Sequence, residues 1–215
     1  MYEFVSGPLV WIAFIIFIGG SLYKIYCVLS GATKDITLLP HMSLKHSVAS
    51  IIHWLIPFNN QYMRQRPVFT IVSFAFHICL ILTPIFLLAH IVLLDESLSV
   101  SWWNLPEGVA DWMTVIVIAG AAFYLYRRLT DPVVINVTDN SDFLLLAITA
   151  LPFITGFLAY HQLFAYKGIL IIHILAGELM LIAIPFTRLS HMLFFVFTRA
   201  LFGSEQGYWK RSKDW

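Results

Sequence analysis

Residues 68–94 read VFTIVSFAFHICLILTPIFLLAHIVLL, 27 positions with no Asp, Glu, Lys or Arg. About 20 apolar residues are enough for a helix to cross the hydrocarbon of a bilayer. The rest of the chain agrees with this stretch. Of its 215 residues, 60% are hydrophobic and only 12% charged, where a soluble domain carries about 25% charged residues. The mean hydropathy is +0.82. One core in water could not hide that much apolar surface at this length. In lipid the outer surface is apolar as well, so the difficulty disappears. The composition therefore predicts an all-α integral membrane protein.

Five apolar segments are long enough to span, at about 8–29, 68–94, 112–126, 142–160 and 168–200. They predict a five-helix transmembrane bundle forming one membrane domain over 1–215. The first segment lacks a basic region before it and an A-x-A cleavage site, so we read it as a retained helix. The fifth would reach about 50 Å if helical throughout, so one end should project beyond the lipid. Basic residues set orientation. Lys34, Lys45, Arg64 and Arg66 lie in the loop 30–67, Arg127 and Arg128 open the loop 127–141, and Arg199, Lys210, Arg211 and Lys213 lie at the C-terminal end. The other side carries Glu3, Asp95, Glu96, Glu107 and Asp111, with Lys167 as its base. This bias predicts the N-terminus outside and the C-terminus in the cytoplasm. Net charge is +1, which gives no reason to expect nucleic acid as a partner. Cys27 and Cys79 sit in apolar stretches without metal-ligand spacing, and we expect reduced core thiols. There is no C-x-x-C-H for covalent haem, and two cysteines are too few for an iron–sulfur cluster. Within the first loop, Leu44, Val48, Ile51, Ile52 and Leu55 recur at helical spacing. A surface helix over 43–58 is expected, either lying on the bilayer or docking a cytoplasmic partner.

Four of the eight histidines fall inside spans: His77 and His90 on the second, His173 and His191 on the fifth. Ionisable groups in a span are expensive and point to function. His77 lies nine residues after the start of the second span, and His191 about nine before the end of the fifth. The two helices run antiparallel in a five-span protein. His77 and His191 then share the cytoplasmic level, and His90 and His173 the outer level. Two imidazoles on facing helices can hold the iron of a b-type haem from both sides. His173 and His191, 18 residues apart, share one face of a straight helix, about 27 Å apart along it. His77 and His90, 13 apart, fall about 140° from eclipsed on a straight helix, so Pro84 between them is expected to kink or rotate it. The competing readings are histidines as helix-to-helix hydrogen-bond partners or as the lining of a proton or ion path.

The fifth span contains Pro185-Phe186-Thr187-Arg188-Leu189-Ser190-His191, with His173 upstream. The connection before the fourth reads Arg127-Arg128-Leu129-Thr130-Asp131-Pro132, then Ser141-Asp142-Phe143-Leu144-Leu145-Leu146, and the second contains Phe76-His77-Ile78. Together these resemble the gamma (cytochrome b) subunit of respiratory nitrate reductase. They are closer still to the small membrane cytochromes b of the Tmc, Hmc and Dsr redox complexes and of membrane-bound heterodisulfide reductase. The resemblance covers the whole chain. It implies a five-helix bundle with its N-terminus outside, in the inner (cytoplasmic) membrane, with two haem b groups between the second and fifth helices. His77 and His191 would ligate the cytoplasmic-side haem, and His173 the outer one. The family's two helix-two histidines are ten apart, and the tenth residue after His77 here is Leu87. His90 is thus the outer ligand available on that helix, with His161 as an alternative. Arg188, three residues before His191, is a candidate for a haem propionate or else snorkels to the surface. Arg64, Arg66, Arg127 and Arg128 are weaker propionate candidates. Glu178, mid-span, is a candidate proton relay or a packing hydrogen bond.

The resemblance also implies an electron-transfer subunit rather than a stand-alone enzyme. A cytoplasmic iron–sulfur subunit, heterodisulfide-reductase-like or ferredoxin-like, would dock on 30–67, 127–141 and 201–215. On the outer side the electron partner would be a quinol, with menaquinone as a candidate cofactor, or a periplasmic multihaem cytochrome c reached through other membrane subunits. Lys167 and His161 are the candidates to assist a quinol. Two alternatives stand beside the cytochrome: a haem-free membrane anchor, and a histidine-lined proton or ion transporter.

Overall fold

The computed structural model describes residues 2–32 and 43–209. Among these every regular element is helical. Five helices are long and apolar enough to cross a membrane: Tyr2–Gly31, Pro67–Phe86, Glu107–Thr130, Asn140–Tyr160 and Tyr166–Phe186. The protein is an all-α, multi-pass membrane protein. Lys34, Lys210, Arg211 and Lys213 lie outside the described residues. We label the longer helices α1 (Val10–Ala32), α2 (Leu44–Leu55), α3 (Pro67–Phe86), α4 (Leu88–Leu98), α5 (Glu107–Thr130), α6 (Asn140–Tyr160), α7 (Tyr166–Phe186) and α8 (His191–Trp209). The chain forms two compact units, residues 1–6 with 71–180, and residues 7–70 with 181–215.

In the first unit α5 packs against α6, and the core is Phe76, Cys79, Val117, Ala121, Ala150 and Phe153. Gly120 lets α3 come close: a β-carbon there would lie 2.7 Å from the Phe76 ring. The arginine and aspartate motif before α6 has a local structural use. Asp131 caps the turn Pro132–Ile135 and bonds Arg127 at 3.0 Å. Asp139 and Asp142 form a capping box at the start of α6, and Asp142 also pairs with Arg128 at 3.2 Å. Negative charge is favourable at a helix N-terminus and positive charge at a C-terminus, which is how these residues are arranged.

The expected single helix over 68–94 is two helices. α3 ends at Phe86, Leu87 is extended (φ −74°, ψ 126°), and α4 starts at Leu88. Pro84 has no N–H to give the carbonyl of Leu80, which weakens the last turn of α3. The break itself falls three residues later. It frees the final carbonyls of α3, which would be orphaned at a helix end. Each finds a donor: Pro84 O accepts from His90 Nδ1 at 2.9 Å, Ile85 O from the Trp102 indole at 3.0 Å, and Phe86 O from the Leu105 amide at 2.9 Å.

The second unit holds α1, α2, the last turn of α7 and α8. The fifth span is likewise not one helix to residue 200. α7 stops at Phe186, a 3-10 turn covers Arg188–Ser190, and α8 begins at His191. Pro185 removes a donor from the last turn, and Thr187 caps the new one by accepting from the Leu189 amide at 3.2 Å. The straight-helix argument that put His173 and His191 on one face therefore does not hold. Gly20 of α1 lies against Pro185, where a β-carbon would come within 3.0 Å. Cys79 is buried in the first unit's core, but Cys27 lies exposed on α1, correcting the expectation that both are core thiols. The surface helix expected over 43–58 is α2, packed along α8.

Candidate functional site: a histidine pair in the first unit

His90 on α4 and His173 on α7 come together. Their ring centres are 6.0 Å apart and their planes differ by 14°. His90 Nδ1 donates to Pro84 O, and His173 Nδ1 donates to Pro152 O, both at 2.9 Å. A carbonyl only accepts, so in each ring Nδ1 carries the proton and Nε2 carries the lone pair. Metal-ligating histidines are characteristically held this way, with the far nitrogen on a backbone carbonyl, which fixes the ring and raises the basicity of the ligating one. With the break at Leu87, the angle of about 140° calculated for a straight helix no longer applies. His90 sits in the first turn of a new helix, so its direction no longer depends on its angle from His77.

The separation of the ring centres is close to that of two imidazoles sharing one metal. Two metal–nitrogen bonds of about 2.0 Å, plus about 1.1 Å from each nitrogen to its ring centre, separate the centres by about 6.2 Å. No hydrogen bond joins the two rings, so they are not simply a polar clasp between helices. Among the described residues no group of three or more His, Cys, Asp or Glu could hold a metal ion. A bare ion such as zinc wants about four ligands. A pair of imidazoles instead suits a metal whose remaining positions are filled by its own macrocycle, as in haem. Gly156 of α6 makes room on one flank, since a β-carbon there would lie 3.0 Å from His173 Cε1.

The other predicted residues fall out as follows. His77 lies in the first unit, its Nδ1 donating to Ser73 O at 2.7 Å and its ring edge-on to Phe76. His191 lies in the second unit, its Nδ1 donating to Arg188 O at 2.8 Å. Both thus share the tautomer of the His90–His173 pair. His161 is different. Its Nε2 bonds Asp111 Oδ1 at 2.9 Å, and it is the ring of His90 that lies near His173, with centres 6.0 Å apart. Arg64 bonds the carbonyls of Phe58 and Asn59, Arg66 lies over Tyr62, and Arg127 and Arg128 pair with Asp131 and Asp142. These four are engaged locally. Glu178 is buried, and its Oε1 has no hydrogen-bond partner among the described residues.

Sequence reasoning missed several contributors. Pro152 O and Gly156 shape the setting of His173, and Trp102 and Leu105 support the Leu87 break. Proline inside a span was the available signal for the two carbonyls. Lys24 was missed as well. It lies within the first span and donates to Ser190 Oγ at 3.0 Å, beside His191 in sequence.

The chain is 39% identical over 210 residues to a sequence of Nitratidesulfovibrio vulgaris (strain Hildenborough) described only as a protein. The match covers 95% of this chain and 93% of that relative. No family model and no solved structure matches the chain.

Proposed function

The chain belongs to the same family as that Nitratidesulfovibrio vulgaris protein, and we propose that it is the di-haem cytochrome b subunit of a membrane redox complex. The observation that carries this reading is the His90–His173 pair: near-parallel rings 6.0 Å apart, each with Nδ1 on a proline carbonyl so that Nε2 keeps its lone pair. The resemblance to the nitrate reductase gamma-like cytochromes b supports it from the side of the sequence. A haem bound there supplies reversible one-electron chemistry at iron. His90 and His173 would hold it through their Nε2 lone pairs. Pro84 and Pro152 hold both rings in the ligating tautomer. Gly156 keeps the His173 flank clear. The resemblance alone implies a second haem, for which His77, His191 and Arg188 are the candidate residues.

In this reading the protein lies in the cytoplasmic membrane with its N-terminus outside, as the Lys and Arg bias favours. Electrons pass between an outer donor or acceptor, a menaquinol or a multihaem cytochrome c, and a cytoplasmic iron–sulfur subunit. The chain relays electrons and does not complete a reaction alone. The test is a dithionite-reduced minus air-oxidised spectrum of the purified protein with a pyridine haemochrome count. Two haem b per chain are expected. A folded, colourless preparation would overturn the proposal and leave the haem-free anchor or the transporter.

A further inference from the structure

The packing of α2 on α8 in the second unit is inside out by the standards of water. Small, polar or side-chain-free residues make much of the contact. Ser47 Oγ donates to Ala200 O at 2.8 Å, and the Ser43 amide donates to Ser204 Oγ. A β-carbon on Gly203 would fall 2.2 Å from that of Ser50. Ser50 and Ser204 are 0% and 1% exposed. The outward face is apolar: Leu44 is 80% exposed, Leu55 57% and Ile52 52%, with Val48 in the same stripe. On α8, Met192, Val196 and Phe202 are exposed as well. In water an amphipathic helix turns its apolar stripe inward and its serines out, because burying apolar surface is the main driving force. Lipid removes that force. Helices then pack through Gly and Ser, which let backbones approach, and show apolar side chains to the acyl chains.

We propose that α2 is a membrane-embedded helix that does not span, its Leu44–Val48–Ile52–Leu55 face inserted into the acyl boundary of an anionic bilayer. Its 12 residues reach about 18 Å, too short for a hydrocarbon core of about 30 Å, so it lies along the surface. Charge favours an anionic surface. The described residues of the second unit carry Lys24, Lys45, Arg64, Arg66, Arg188 and Arg199 against Glu205 alone. Arg199 is held 3.7 Å above the Trp54 ring, which ties a cation of α8 to the C-terminal half of α2. Chain connection places α2 close to lipid too, since α3 enters the membrane at Pro67, 12 residues after Leu55. The inference is independent of whether haem is bound.

The test uses the full-length protein in phosphatidylethanolamine–phosphatidylglycerol vesicles, with Cys27 replaced by alanine and the buried Cys79 left in place. Spin labels are put on Leu44→Cys and, separately, on Ile52→Cys. Leu55→Cys on the same stripe serves if either variant fails to fold. The expected result is relaxation by oxygen well above relaxation by a water-soluble nickel chelate at each position. Dominant relaxation by nickel would mean a water-facing helix and would overturn the proposal. Protection from both would mean that a protein subunit or a second copy covers the stripe, and would overturn it equally.

Discussion

The two interrupted helices make an instructive pair. In each, a proline is followed within three residues by a break, Leu87 after Pro84 and Thr187 after Pro185, and in each a histidine stands in the first turn beyond it, His90 or His191. The difference lies in who takes over the freed backbone groups. At Leu87 two of the donors come from a loop 15 or more residues away, Trp102 and the Leu105 amide, and the third is His90 itself. At Thr187 the side-chain bonds to freed backbone are local: the Thr187 hydroxyl donates to Ala183 O and accepts from the Leu189 amide, and His191 Nδ1 returns to Arg188 O. Bonds of that kind order only a few neighbouring residues. A break closed from a distance ties a histidine, a loop and two helices into one arrangement, and there the second imidazole, His173, converges. The same division separates structure that short-range chemistry explains from structure that needs the fold.

Four changes would break or sharpen that contrast, the largest first. His173→Ala should remove one of two haems per chain in the haemochrome count. Loss of both, or of neither, would break the assignment of His173 to a single outer site. Gly156→Ala places a methyl 3.0 Å from the His173 ring. It should cost about 1–3 kcal/mol by overpacking and disturb the outer haem spectrum, read by thermal unfolding in detergent and by the reduced-minus-oxidised difference. Trp102→Phe leaves the Ile85 carbonyl without its indole donor. The expected cost is about 0.5–1.5 kcal/mol, with the effect reaching the outer haem's spectrum. Thr187→Ala, at the local break, should cost a similar ~1 kcal/mol and leave the outer spectrum unchanged. If Thr187→Ala disturbs that spectrum as Trp102→Phe does, the local and distant breaks are not distinct.

The smallest effect belongs to a third local device, the cap at the end of α5. The Arg127 guanidinium holds the Asp131 carboxyl below the usual carboxylate range, helped by the Val133 amide. A depressed folded value contributes stability above the unfolded value of about 3.9 and loses it as pH falls through the folded one. Asp131→Asn should therefore narrow the stability difference between neutral and acid pH slightly, as expected of a solvent-exposed ion pair. An unchanged pH dependence would show that the pair contributes nothing measurable.

Much of the fold was legible because its signals are short-range or cumulative. Five spans can be counted from hydropathy, since lipid demands runs of apolar residues whatever their neighbours. The caps at Asp131, Asp139 and Asp142 went unread, although a cap needs residues only two or three positions away. The site was half legible. Four intramembrane histidines stand out by cost alone, but helical spacing could not place two of them. It set His90 facing away from His77 and His191 in line with His173, because it assumed straight helices through Pro84 and Pro185. Proline marks where a helix is weak. It does not say at which residue the chain becomes extended, since that depends on which distant donors collect the carbonyls it frees.

By itself, then, the sequence determined a membrane protein of five apolar spans, its basic and acidic ends, and the histidines that merit a function, because composition, length and charge act without reference to partners. Only the tertiary structure decided that His90 meets His173 at 6.0 Å, that Pro84 and Pro152 turn the two rings, and that α2 shows its leucines rather than its serines to the outside. Most of these depend on contacts between residues far apart in the chain. Such contacts depend on how helices break and which faces meet, and a repeat along one helix carries no record of either.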